Sequence, residues 1–190
     1  ANLAPEEWTP TYYCPGSPGC ETAEGDLKVG AASLSITPTC FETFKDCGDD
    51  GLCPGDEGYI EPDSNEGNAE YEKLTEAFLD CGCDRLCPED EGYTGPDEGE
   101  ADGVFQAVWI AGFQNARPAQ GVHDDLWARA IVFEKGETRI GFVVVDLVGW
   151  FYQEIEKTRV ILETEGIDLD HLIVASTHNH EGPDTMGIWG

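Results

Sequence analysis

Apolar and polar positions mark out a set of strands, one helix and a long stretch with neither pattern. Leu27 to Ile36 alternates loosely and is rich in Val, Ala and Ser, the pattern of a first strand. Leu126 to Phe133, Ile140 to Val145 and Leu172 to Ala175 are further β-prone apolar runs, and Trp109-Ile110-Ala111 is a shorter one. Ile140 to Val145 is apolar without a break, as expected of a central strand buried on both faces. Glu134-Lys135-Gly136-Glu137 reads as a hairpin turn. From Gly149 to Glu165, Phe151, Ile155 and Leu162 recur at spacings suited to one helical face, and Gly166 supplies the stop. The expected fold class is therefore α/β, a mixed sheet with a βαβ unit. Strand 140–146, helix 149–165 and strand 172–177 form that unit, with a right-handed crossover.

The stretch without either pattern divides the chain. Residues 1–26 read as an N-terminal arm, 27–38 and 104–190 as one globular domain, and 39–103 as an acidic, cysteine-rich insertion. Within the insertion, Asp46-Cys47-Gly48-Asp49-Asp50-Gly51-Leu52-Cys53-Pro54 through Gly58-Tyr59 recurs 34 residues later as Asp80-Cys81-Gly82-Cys83-Asp84-Arg85-Leu86-Cys87-Pro88 through Gly92-Tyr93. The match extends to Pro62-Asp63 and Pro96-Asp97. Two copies make paired loop modules and not a solenoid. Carboxylates fall at loop positions 1, 5 and 12, namely Asp46, Asp50 and Glu57, then Asp80, Asp84 and Glu91. That spacing matches an EF-hand loop, in which oxygen ligands wrap Ca²⁺. Gly at position 3, Pro at position 9 and Arg85 in place of a turn glycine depart from it. The loops are closer to the Asp-rich, cysteine-linked calcium loops of thrombospondin type 3 repeats. The alternative is a solvated acidic segment with too little apolar surface to order itself. Between the copies, Tyr71, Leu74 and Phe78 lie at spacings for a short helix over 68–79.

Charge narrows the partners. Thirty-nine Asp and Glu against ten Lys and Arg give a net charge of -29, which repels a phosphate backbone and speaks against nucleic acid. Cations are the natural counter-species, and self-association is open. Eight cysteines at short spacings, without paired CxxC sets, point to disulfides and an oxidising compartment, with zinc knuckles as the alternative. The simplest pairing is Cys47–Cys53 and Cys81–Cys87 as local staples, leaving Cys14–Cys20 and Cys40–Cys83. No apolar run reaches the roughly 18–20 residues of a membrane helix. Ala1-Asn2-Leu3-Ala4-Pro5 resembles a mature start, so the expectation is a leader already removed and an extracellular, periplasmic or cell-surface protein.

The chemistry concentrates near residue 180. Ser176-Thr177-His178-Asn179-His180-Glu181-Gly182-Pro183 follows the apolar run Leu172 to Ala175. If the strand continues, residues two apart face the same way, and His178 and His180 present imidazoles to one point. Imidazole suits Zn²⁺, and a catalytic zinc keeps one position open. The plain alternative is a loop with two solvated histidines. Asp146 lies beyond the end of the preceding strand, either as a cap leading the helix or as part of the site. His123-Asp124-Asp125 is either a ligand set or a surface turn whose carboxylate pairs Arg129, and Gly112-Phe113 exposes backbone donors to a substrate. Gly112, His123 and Asp146 are thus the candidate substrate contacts.

Taken in order, Ala111-Gly112-Phe113, Gly121-Val122-His123, Trp127-Ala128-Arg129-Ala130, Val145-Asp146-Leu147 and Ser176 to Pro183 resemble the N-terminal catalytic region of the neutral/alkaline non-lysosomal ceramidase family. The resemblance covers Leu27 to Ala32 and Val104 to Gly190, and Glu181 stands where the family has serine. It implies a secreted or surface zinc amidase that hydrolyses the N-acyl bond of a ceramide-like lipid. It further implies that His178 is a zinc ligand and that His180 is a catalytic residue beside the substrate oxygen. The family draws its remaining ligands from sequence further downstream. The implied partner is a C-terminal part of the same protein or a second chain, with a lipid or membrane-surface substrate. The competing class is a calcium-stabilised extracellular structural or adhesive protein that keeps the scaffold without the activity.

Overall fold

A computed structural model describes residues 23–190. Four strands form one mixed sheet: β1 (Leu27–Ser35), β2 (Trp127–Lys135), β3 (Thr138–Val145) and β4 (His171–Ser176), in the order β1-β2-β3-β4. The first three are antiparallel neighbours, and β4 lies parallel to β3. The β2–β3 hairpin turns at Lys135-Gly136-Glu137, where Gly136 has a φ of 62° that glycine adopts without a Cβ penalty. Between β3 and β4 runs α1 (Tyr152–Thr164). Gly166 follows it at φ 73° and donates its amide to Glu163.

The observed elements sit within a few residues of those expected from the pattern, and β3 is central in the sheet. Its expected burial on both faces does not hold. Val145 is buried, whereas Phe142 and Val144 are 39% and 40% exposed, because α1 lies against one face only. Trp109 and Ile110 form single bridges, to Pro118 and Pro183, and not a strand.

Between β1 and β2 the chain is irregular and built on the repeat. Its copies are tied together by an antiparallel bridge between Phe44 and Phe78, which are themselves 34 residues apart. Lys45 donates to the carbonyl of Ala77, and Leu79 to that of Thr43, so the exchange is nearly two-fold symmetric. Inside each copy the same carboxylates take the same amides. Asp63 accepts from Asp49 and Asp50 as Asp97 accepts from Cys83 and Asp84, and Glu66 accepts from Tyr59 as Glu100 accepts from Tyr93. The structural repeat thus begins at Glu42 and Glu76, four residues ahead of the similarity visible in sequence.

Cys47–Cys53, Cys81–Cys87 and Cys40–Cys83 are disulfides, in agreement with the simplest pairing, while Cys14 and Cys20 lie outside the described residues. Three disulfides fit an oxidising, extracellular-type environment. Among the described residues no helix is long and apolar enough to cross a membrane.

The helix expected over 68–79 is absent. Ala69 sits at φ 63°, only one turn forms around Glu72 to Glu76, and Leu74 is 98% exposed. Glu76 is drawn instead to the Gly48 amide, and Tyr71 and Phe78 enter an aromatic cluster with Phe44, Phe105 and Trp109. Arg85, where the first copy has Gly51, adopts φ 62° and lays its guanidinium 4.7 Å from the centre of the Phe41 ring. That contact offsets part of the left-handed penalty.

Candidate functional site

Asp146, His178 and His180 lie just beyond the carboxyl ends of β3 and β4. Thr177 donates to the carbonyl of Val145, and the amides of His178 and Asn179 both reach Leu147, so the chain leaving β4 is pinned to the chain leaving β3. Strand geometry ends at Ser176, and His178 has φ 62°. The two imidazoles therefore converge through a left-handed turn and not through a continued pleat. His178 Nε2 lies 3.1 Å from His180 Nε2.

His178 is oriented by the backbone. Its Nδ1 lies 2.8 Å from the carbonyl oxygen of Val148. A carbonyl only accepts, so Nδ1 carries the proton and Nε2 keeps its lone pair in the neutral ring. Metal-bound histidines are held in the same way. His180 is positioned by packing: Phe113 meets it edge-on at 5.3 Å, and Trp189 lies 6.3 Å away. Gly112 is pressed against the ring, since a Cβ there would sit 2.5 Å from His180 Cγ, and its φ of 80° also favours glycine.

Asp184 was not apparent from sequence. Burial pushes its carboxyl up, but the amides of Met186, Gly187, Ile188 and Trp189 outweigh that and hold it below the ordinary value. It thereby fixes the loop that carries Trp189. The signal available in sequence was an Asp followed by a short glycine-bearing turn, which is common in loops.

A groove of about 620 Å³ opens beside the pair. Phe41, Val108, Ile110 and Leu126 give it apolar walls, and His123, Asp124, Asp125, Asp146, Asn179 and Glu181 line it with polar groups. His178, His180 and Gly112 are not among its walls, so the 178–183 loop has one side toward the groove and the other toward the histidine pair. The candidate substrate contacts are accordingly split, with His123 and Asp146 in the groove and Gly112 against His180. Arg117 bridges the two sides by donating to the Gly112 carbonyl at 3.3 Å and to Glu181 at 3.1 Å.

Asp146 does not cap α1. Its Oδ2 accepts from the Trp127 amide at 3.0 Å and from Arg129 Nη1 at 2.9 Å, which locks the end of β2 to the end of β3. Arg129 thus pairs with Asp146 and not with the 123–125 turn. Asp124 faces His123 at 2.7 Å, and Asp125 accepts from the Thr37 hydroxyl.

Two nitrogens bound to one tetrahedral zinc at about 2.0–2.1 Å lie roughly 3.3 Å apart. The 3.1 Å between the Nε2 atoms is close to that separation, so the pair fits two positions of such an ion. Among the described residues no third His, Cys, Asp or Glu completes a ligand group.

The six carboxylates at EF-hand spacing are not drawn to a common point either. Asp46 accepts from the Gly67 and Ala69 amides, and Asp80 from those of Asp102 and Gly103. Asp50 and Asp84 each accept from the amide two residues on, at Leu52 and Leu86. Glu57 and Glu91 are exposed. No known protein family, curated protein or solved structure matches the chain.

Proposed function

We propose that the chain is the N-terminal portion of a secreted zinc-dependent amidase resembling the neutral ceramidases, acting on the N-acyl amide bond of a ceramide-like lipid. The observation that carries this reading is the pair of imidazole Nε2 atoms 3.1 Å apart, with His178 anchored through Nδ1 to the Val148 carbonyl. Its context supports it, because four of the five segments that carry the family resemblance are tied together at one end of the sheet, and the fifth, Gly121-Val122-His123, lines the groove there. Ala111 donates to Gly182, Ile110 bridges Pro183, Gly112 packs on His180, and Trp127 and Arg129 hold Asp146. We read β3, α1 and β4 as a right-handed βαβ crossover, which puts the pair at the customary ligand edge of such a sheet.

In this reading His178 and His180 both supply nitrogen ligands, a departure from the place beside the substrate oxygen that the family resemblance implies for His180, and the rest come from a downstream region or a second chain. A zinc ion there supplies Lewis-acid polarisation of the amide carbonyl and a bound water of lowered pKa. The protein's own part is to fix His178 through Val148, to confine His180 between Gly112, Phe113 and Trp189, and to offer the adjacent apolar groove to part of the lipid. Fatty-acid release from an N-acyl sphingoid base by the full-length protein tests this. Release should be lost in His178→Ala, and undiminished release in that variant contradicts the reading.

A second reading has its own observation. Of the 39 acidic residues, 21 lie between Glu42 and Asp102, and among the described residues none of these forms an ion pair with a basic side chain. Bound Ca²⁺ would supply the missing counter-charge. A calcium-stabilised extracellular structural or adhesive protein follows if the histidine pair holds no metal.

A further inference from the structure

We propose that Arg117 is the positioning residue for the His180 imidazole, with Glu181 as the carboxylate that holds the guanidinium in place. On the reading of His178 and His180 as metal ligands, on which this inference rests, the second ring needs a hold of its own. The two rings are secured differently. His178 is fixed by its Nδ1 against the Val148 carbonyl, whereas among the described residues the His180 imidazole makes no hydrogen-bonding contact except with His178. Its ring lies among Gly112, Phe113 and Trp189. Whatever fixes the 112–113 segment therefore fixes the ring.

Backbone pairing between the two segments stops short of that point. Ala111 donates to the Gly182 carbonyl and Ile110 bridges Pro183, but Gly112 turns away at φ 80°. Arg117 takes over from there. Its Nη1 donates to the Gly112 carbonyl at 3.3 Å and its Nη2 to Glu181 Oε2 at 3.1 Å. Glu181 follows His180 directly, and its amide donates to Asn179 Oδ1 at 2.9 Å. One guanidinium thus ties the peptide against the ring to the residue next to it. A planar fork with several donors does this, and a lysine ammonium, a point charge on a flexible stem, does not reproduce it. The Arg117 side chain is only 16% exposed, but that of Glu181 is 67% exposed, and an ion pair so open contributes little to stability. Its value here is geometric.

The backbone carries the same constraint. Among the described residues seven other than glycine have positive φ, and four of them lie in the repeat. The other three are Phe113, Ala116 and His178, in the 112–117 loop and at the pair itself. Such conformations persist where surrounding contacts over-determine them, and they gather at functional sites. Arg117 supplies one such contact by closing the loop on Gly112, and Ala116 another by donating to the Trp189 carbonyl at 2.7 Å. The loop therefore holds both aromatic neighbours of His180, Phe113 directly and Trp189 through Ala116.

Nuclear Overhauser contacts in the metal-free 190-residue chain, together with zinc calorimetry, test this for Arg117→Lys, Glu181→Ala and the double variant. In Arg117→Lys the contacts between the His180 and Phe113 rings are expected to be lost while the amide spectrum of the sheet is kept, and zinc affinity to fall roughly tenfold. Glu181→Ala should weaken both less, because the bond to Gly112 remains. Since both act through one guanidinium, the double variant is expected to be no worse than Arg117→Lys alone. Ring contacts undiminished in a folded Arg117→Lys chain overturn the proposal, as do effects that add in the double variant. If Arg117→Lys does not fold, Glu181→Ala decides, since its site is exposed, and undiminished ring contacts there overturn the proposal as well. A wild-type chain that binds no zinc sinks the metal reading, and the ring contacts still decide the positioning role.

Discussion

Glu42 and Glu76 occupy equivalent places in the repeat, and each caps the loop of the other copy. Glu76 Oε1 accepts from the Gly48 amide of the first loop, and Glu42 Oε1 from the Gly82 amide of the second, both at 3.1 Å. Both carboxylates are buried, with Glu42 fully enclosed and its second oxygen taken by the Gln106 amide. Removing either leaves buried amides without acceptors, at a cost of about 1–3 kcal/mol each. The cost should appear in the other copy. In native-state hydrogen exchange, Glu42→Ala is expected to lose protection at Gly82–Asp84, and Glu76→Ala at Gly48–Asp50. Loss confined to each glutamate's own copy would contradict the exchange.

Glu76 makes its loop sensitive to pH. Burial pushes the Glu76 carboxyl up from 4.5 to about 7, and the neighbouring Glu72 carboxyl adds to the rise against the opposing backbone amides. A raised carboxyl means that the folded chain holds this proton more tightly than the unfolded one. Its contribution is complete below about 4.5 and falls away as pH rises through about 7. Glu76→Gln should remove that slope, worth up to about 3 kcal/mol, from urea-unfolding stabilities measured between the two values. An unchanged slope in the variant would assign it to other groups.

The calcium reading makes a local prediction. Chelator should accelerate hydrogen exchange across 46–102 and leave β2 and β3 unaffected, because the sheet is held by its own ladders and packing. Exchange in 46–102 that ignores chelator would mean that the amide-to-carboxylate bonds and disulfides order the loops unaided.

Much of this architecture is legible in the sequence because it follows from local pattern. The apolar runs give β2, β3 and β4 to within a few residues, Gly166 ends α1, and the six-residue cysteine spacings suggest the two short staples. What escaped was non-local. The helix expected over 68–79 loses to a tertiary demand, since Glu76 and Tyr71 gain more from the first loop and the aromatic cluster than from helical hydrogen bonds. The equivalence of Glu42 and Glu76 was hidden because only Phe44 and Phe78 are otherwise shared in those leading segments. The closeness of His178 and His180 was anticipated, but from strand alternation, whereas a left-handed His178 produces it. Asp146 was recognised as a site-end carboxylate, yet its partners come from β2, which no local pattern specifies.

The central claim is that His178 and His180 form a metal-holding pair. Its most direct test is zinc binding to the intact chain, measured by calorimetry after removal of metal, alongside His178→Ala, His180→Ala and Gly112→Ala. Gly112→Ala belongs in the series because a Cβ there must displace the His180 ring. The account predicts one zinc site outside the acidic repeat, weakened at least about tenfold in each of the three variants. Zinc affinity identical in the wild-type chain and both histidine variants would contradict it.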